Sequence, residues 1–447
     1  MAKPRRKKKA RVCSNEGEAA APVRNSASVL PPPDHVSEEI FLRLPPESIA
    51  ASRCVAPSWN RLLSSPAFAE RYHAAAAARA ADRPRFLTVP VHANYHKRHS
   101  ASADEPLGSV TCVECPRVFA GAGKACHGLV LVGRLCEGHF YACNPSTGGV
   151  LRLPPRRPTS CFHSAGLGYD AAAGRFKAVL LERAWVPRRR SLGPPTPRFS
   201  AVVVTVGAPQ WRWREQKPRG AKARVACGDA LVSTKMDPVF AAGHLHWMLS
   251  APPAAPGARQ DVTGVLSFSL DDESFRRIPL PPADGDREQQ RARQTAPPPP
   301  PEHSTLAELD GHLCFVRDLR SRRDGVAVFE VWKHAHRSRS WTLDCRVDLT
   351  RHVGKLMLPW ALSIFPLCYI GGESSGRSKK TMLLLTTTRS AHKYELGTRK
   401  LFAVTSGIGT LQQMQVFPQY FRVLLYQESS VHISGMEYAK QDIRFIP

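Results

Sequence analysis

The chain has 447 residues, 43% of them hydrophobic, with 63 Lys and Arg against 37 Asp and Glu and a net charge of +26. That length suits one small domain plus one large one. No apolar run reaches the ~18 residues of a membrane span, no secretory segment follows the basic N-terminus, and the 12 cysteines are scattered as free thiols rather than paired as a scaffold.

Residues 1–28 lack hydrophobic periodicity and read as a disordered tail. Its basic cluster, Lys3, Arg5, Arg6, Lys7, Lys8, Lys9 and Arg11, suits either a nuclear-import signal or a solubilising tail. Pro33–Phe68 then encodes three short helices. Val36, Ile40 and Leu44 recur at i, i+4 and i+8 on one helical face. Asp34 is a candidate N-cap, and Pro45-Pro46 stops the first helix and opens the second. Ile49, Ala50, Arg53 and Cys54 carry the second. Ala56–Ser64 carries the third, with Trp59, Leu62 and Leu63 on one side. Helices this short need packing partners, so the segment is either a docking surface or a helical cap on the C-terminal domain. Ala67–Asp82, with its run Ala74–Ala78, predicts a further helix by propensity alone, a stiff spacer.

From Arg85 onward the period switches to 2, and five hairpin-like units appear. Their first runs end at Cys143, Val206, Leu270, Trp332 and Leu396, at spacings of 63, 64, 62 and 64 residues. Further strand candidates lie between them: Leu129–Val132, Phe176–Leu181, His244–Leu249, His312–Val316 and Met382–Thr387. Three follow a glycine, Gly128, Gly243 and Gly311, where positive φ or close backbone approach is available. Each unit has room for about four short strands, the blade of a β-propeller. The alternative is a pair of packed β-sandwiches, which would not ordinarily carry this period. Residues 85–125 and 405–447 are left over. They predict one more blade built from both ends of the domain, about six in all. Ala283–Ser304, with Pro297–Pro301, predicts a disordered or polyproline loop.

Candidate chemistry is thin. Cys112-x-x-Cys115 and Cys136-x-x-His139 have zinc-like spacing, but Cys126–Leu129 between them belongs to the strand pattern. Gly371–Ser378 imitates a phosphate loop, and Gly372-x-Ser374-x-Gly376 a nucleophile elbow, yet a strand follows where each needs a helix. His92, His96 and His99 sit beside Lys97 and Arg98, which opposes metal binding. Trp211, Trp213, Trp332 and Trp341 recur at similar places and read as blade core. No catalytic residue, metal or cofactor is expected. The positive charge is spread through Arg- and Pro-rich loops rather than drawn into a stripe.

The first helical segment resembles the F-box. The matching residues are Asp34, Glu39-Ile40-Phe41, Arg43-Leu44-Pro45, Ser48-Ile49, Arg53-Cys54-Val55, Ser58-Trp59, Leu62–Pro66 and Phe68. Pro32 stands where the family has Leu, Val36 replaces a Leu, and Pro57 replaces a basic residue and must fit a helix's first turn. The F-box covers residues 29–68, with a linker helix at 69–84. Cys126–Val130, Asn144–Thr147, Leu153-Pro154, Gly168-Tyr169-Asp170 and Phe176-Lys177 resemble the F-box-associated, propeller-like domain of plant proteins, here spanning 85–447. The fold implied is mainly β with a small N-terminal α domain. The function implied is that of a non-enzymatic substrate receptor of an SCF-type ubiquitin ligase. A Skp-type adaptor, and through it a cullin, would be held by Pro33, Val36, Ile40, Leu44, Pro45, Ile49, Val55, Trp59, Leu62 and Leu63. The β domain would hold a protein substrate, in the nucleus or cytoplasm and away from membranes. The alternative is a basic nuclear nucleic-acid-binding protein.

Overall fold

The computed structural model describes residues 34–82, 85–90, 117–119, 123–134, 138–156, 162–186, 196–209, 211–215, 231–232, 236–251, 262–282, 304–320, 326–352, 364–370, 381–386, 391–403 and 421–438. It divides into a unit of residues 1–41 and a unit of residues 42–447. The first contributes helix α1 (Asp34–Phe41). The second opens with α2 (Pro46–Ser52), α3 (Pro57–Leu63) and α4 (Pro66–Asp82). Proline sets where the short helices start. Pro46 and Pro57 occupy the first turns of α2 and α3, behind the extended residues Pro45 and Ala56, where a missing N–H costs nothing. Ser65 caps α4, its Oγ accepting the Phe68 N–H at 3.2 Å. Among the described residues no helix is long and apolar enough to cross a membrane.

The remaining described residues are mainly β, in six antiparallel sheets, of which the five with four or more strands are taken here in chain order. The first holds β2 (Arg117–Phe119), β3 (Val130–Arg134), β4 (His139–Asn144) and β5 (Gly149–Arg152). The second holds β6 (Phe162–Asp170), β7 (Arg175–Val186), β8 (Thr196–Thr205) and β9 (Arg214–Glu215). In the third, β10 (Leu231–Val232) and β11 (Val239–Ala241) both pair with β12 (His244–Ser250), followed by β13 (Val262–Ser269) and β14 (Phe275–Ile278). The fourth is β15 (Thr305–Leu309), β16 (His312–Asp318), β17 (Val328–Ala335) and β18 (Ser340–Asp348). The fifth is β19 (Ile364–Ile370), β20 (Thr381–Thr386), β21 (Ala391–Glu395) and β22 (Lys400–Ala403). The five hairpin units of the sequence are the outer pairs of these sheets: β4–β5, β8–β9, β13–β14, β17–β18 and β21–β22. The intervening candidates are the second strands β3, β7, β12, β16 and β20.

Five sheets joined face to face are a propeller arrangement, not two packed sandwiches. Leu129, Leu131 and Phe140 of the first pack with Leu167, Ala178 and Val202 of the second. Val179, Leu181 and Val203 then meet Leu245, Trp247 and Leu249 of the third. A third cluster runs from Met248 through Leu306 and Phe329 to Ile364 and Met382, joining sheets three, four and five. Among the described residues the full blades number five rather than about six. The two ends of the domain do pair, as β1 (Arg85–Pro90) with β23 (Phe421–Tyr426), but among the described residues they form a two-stranded sheet. Leu425 and Phe86 of that sheet pack on Leu367 and Leu383 of the fifth blade, and Leu424 packs on Val130 and Val132 of the first. It therefore fills the gap in the ring. The final strand β24 (Glu437–Tyr438) then adds to the outer edge of β5.

Candidate functional site

The site is built from the helical segment outward. In α1, Ile40 is 50% exposed. In the second unit, Val55, in the turn between α2 and α3, is 67% exposed. Of five large apolar side chains exposed among the described residues, these two fall within the 49 residues 34–82. Pro45 is exposed beside them in sequence, and Leu44, Trp59 and Leu62 are half-buried. Ile49 and Leu63 are 0% and 1% exposed. They are interior residues of the helices and offer a partner no surface, because apolar side chains of that size hold the short helices in place. Val36 lies in α1, while Pro33 and the basic cluster Lys3, Arg5, Arg6, Lys7, Lys8, Lys9 and Arg11 lie outside the described residues. So do the phosphate-loop imitation at 371–378, the 283–303 part of the proline-rich loop, Cys112, Cys115, Cys136, and the His92, His96 and His99 cluster. Cys126 is described, and burial pushes its thiol pKa up, away from the thiolate a metal needs.

What sequence reasoning missed is how firmly the helices α2, α3 and α4 are tied to the β domain. Arg53, part of the F-box-like run, donates through Nη2 to the carbonyls of Leu63 (2.9 Å) and Ser430 (2.5 Å). Ser430 belongs to the segment just after β23, and the Asn-Pro-Ser-Thr motif holds that segment to the first blade. Asn144 Nδ2 donates to the carbonyls of Ser429 (3.1 Å) and Val431 (2.8 Å), and the Ser429 N–H donates to Ser146 Oγ at 3.0 Å. The motif's side chains thus form a clasp for the returning chain.

Helix α4, expected as a plain spacer, is seated on the propeller. Its Tyr72 is buried and donates its hydroxyl to the Leu44 carbonyl at 2.8 Å. Arg79 donates to the Leu42 carbonyl and pairs with Glu428 at 3.2 Å. His73 stacks on His127 of the first blade, centroids 4.6 Å apart and planes 4° from parallel. Tyr169 of the second blade donates to Glu70 at 3.4 Å. The helix also lies against β19 of the fifth blade. Burial lowers the pKa of both stacked imidazoles, and that of His127 falls to about 4; Glu308 opposes the shift at His73. The stack is therefore neutral near pH 7, which removes the like-charge repulsion that two imidazolium rings would suffer. The sequence signal was present in Glu70, His73 and Arg79, polar groups interrupting an otherwise alanine-rich helix.

The F-box domain family matches residues 33–71. A putative F-box protein of Arabidopsis thaliana is 25% identical over 255 residues, covering 56% of this chain and 50% of the relative. A second putative F-box protein of the same plant is 27% identical over 197 residues, covering 42% and 46%. An Arabidopsis F-box/LRR-repeat protein is 24% identical over 275 residues, covering 58% and 57%. The chain thus spans about half the length of the curated relatives it matches. Among solved structures, an oligogalacturonate lyase in complex with manganese aligns at TM-score 0.28 and 8% identity over 67% of this chain and 82% of its own. An acylaminoacyl peptidase of Pyrococcus horikoshii aligns at TM-score 0.26 and 7% identity over 66% and 46%. Likeness that slight carries no argument about either activity. Residues 33–71 are an F-box domain, followed by a propeller-like β domain, and the chain is similar to the F-box proteins of Arabidopsis.

Proposed function

We propose that this chain is the substrate-receptor subunit of an SCF-type E3 ubiquitin ligase. The observation that carries the reading is the F-box match at residues 33–71 together with its exposed apolar residues Ile40 and Val55. A Skp-type adaptor would cover them and link the chain to a cullin. The propeller would hold a protein substrate. Catalysis would then be proximity: a substrate lysine held near the ubiquitin-charged enzyme reacts at a raised effective concentration. On this reading no residue of the chain makes or breaks a bond, and it acts in the nucleus or cytoplasm.

The seating of α4 supports the same reading, since a receptor must fix the direction in which its substrate is presented. The test is affinity purification of the full chain from plant cells, scored for a Skp-type adaptor and a cullin. Recovery of both supports the proposal. Recovery of nucleic acid with neither protein would instead favour the basic nuclear binder that the net charge of +26 suggests.

A further inference from the structure

The seam between the third and fourth blades gathers four imidazoles. His244 and His246 come from β12, His334 from β17, and His336 from the turn after it. The His244 ring lies 4.2 Å from that of His336 and 5.9 Å from that of His246, and the His334 ring lies 6.0 Å from that of His336. His246 and His334 are buried, and the Trp341 ring packs 4.8 Å from His334.

Backbone carbonyls set the proton positions of two rings. A carbonyl can only accept, so His244 donates from Nδ1 to Ala242 at 2.7 Å and His246 donates from Nε2 to Ala241 at 3.3 Å. The other nitrogen of each neutral ring is then a bare lone pair. Nδ1 of His246 and Nδ1 of His334 are buried without a hydrogen-bond partner. A proton added to His246 would point an N–H at no acceptor, beside three other rings.

The charged neighbours reinforce this. Arg276 on β14 acts against protonation of His244, His334 and His336, and Arg339 in the β17–β18 turn acts against His336. Asp271 and Asp272 in the β13–β14 turn favour charge on His244, but Asp272 is engaged by Ser274, whose Oγ donates to it at 2.8 Å. Burial is the largest cause at all four histidines, and the pKa of His334 falls to about 4; repulsion from neighbouring rings adds to it at His246, His334 and His336, while the carbonyl bonds of His244 and His246 act the other way. Among the described residues no three His, Cys, Asp or Glu side chains are grouped to hold a metal.

We propose that the seam between the third and fourth blades is a proton-sensitive joint, closed while the four imidazoles are neutral and opened when they take up protons. The sign comes from linkage. A histidine in water titrates near ~6.5, and these four titrate lower while the seam is closed. The open state therefore binds more protons as pH falls from about 6.5 toward 4, and closure weakens in that window. Each histidine contributes up to about tenfold in the closing equilibrium per pH unit. The joint rests on the seam alone and stands or falls independently of the receptor reading.

The test is hydrogen exchange on the full chain between pH 7.5 and 5, corrected for intrinsic rates. The expected result is that β12 and β17 lose protection earlier and more steeply than β7 and β8 of the second blade, which carry no histidine. In His246→Gln/His334→Gln the difference should shrink, by up to about a hundredfold per pH unit for two removed titrations. Uniform loss across all blades in the native protein, or a folded double variant that keeps the native slope, would overturn the proposal. If the double variant does not fold, the blade-by-blade comparison in the native protein decides alone.

Discussion

Trp213 and Trp341 occupy equivalent places in the second and fourth blades, and each indole reaches back to the blade before it. Trp213 Nε1 donates to the Pro154 carbonyl at 2.6 Å, and Trp341 Nε1 donates to the Pro279 carbonyl at 2.8 Å. Both prolines follow the fourth strand of the preceding blade. Sequence reading placed these tryptophans in the blade core and noted Leu153-Pro154, but it had no means of joining them, because the partners are 59 and 62 residues apart. Trp341→Phe keeps the ring and deletes the donor of an exposed bond, where water can reach the Pro279 carbonyl, so we expect a loss of about 0.5–1 kcal/mol in urea unfolding. Trp213→Phe deletes a part-buried bond and should cost about 1–2 kcal/mol, and the two should add, since they bridge different seams. A double variant that melts like the native protein would remove the latch from the account.

At the scale of elements, one two-residue turn recurs ahead of the second strand in three blades. His127-Gly128, Ala242-Gly243 and Asp310-Gly311 all place both residues at positive φ, the two-residue turn whose twist suits a hairpin. The glycine was legible in the sequence, but the left-handed residue before it was not. Context separates otherwise identical positions. A Cβ at Gly311 (φ +80°) meets nothing within 4 Å, whereas one at Gly128 (φ +79°) falls 2.2 Å from the Ser429 Cβ. Gly311→Ala should therefore cost only the left-handed strain of about 1–2 kcal/mol. Gly128→Ala should cost clearly more, because Ser429 belongs to the segment that Asn144 clasps. Chemical denaturation of the two variants compares them directly, and equal losses would show that the clasp yields freely.

Helix α4 teaches a related lesson. Its alanine run made the helix legible from propensity, and it runs Pro66–Asp82, one residue earlier than the expected Ala67–Asp82 and shifted from the 69–84 given to the linker. Its role was not legible, because the seat depends on His127, Tyr169 and Glu428, which are remote in sequence. Propensity reports where a helix forms and carries no information about what it lies on.

At the scale of the whole molecule, the propeller was visible because its outer hairpins alternate strongly and recur about every 63 residues. The closure was less visible. β1 and β23 pair across more than 300 positions of chain, and β24 is only two residues long, too short to carry a period. Closure nevertheless holds the ring together: truncation after residue 420 removes β23, β24, the Ser430 carbonyl that Arg53 reaches and the Asn144 acceptors at once. We expect that variant to lose its cooperative melt. Replacing residues 284–302 with a short Gly/Ser connection should leave the melt intact, since the stretch has no large apolar residue to bury and a shorter connection lowers closure entropy slightly. Insolubility of the loop variant would mean that the proline-rich stretch is structural.

The receptor reading turns on Ile40 and Val55. Both are exposed, so changing them should alter stability by no more than about 0.5 kcal/mol. Buried beneath an adaptor, each would act as an anchor whose loss costs about 2 kcal/mol. The decisive measurement is a calorimetric titration of a Skp-type adaptor into the full chain, native and Ile40→Ala/Val55→Ala, with melting temperature recorded on the same samples. The account predicts that the native chain binds and that the double variant binds at least about 30-fold more weakly at an unchanged melting temperature. A native chain that does not bind the adaptor, or a double variant that binds it equally well, would contradict it.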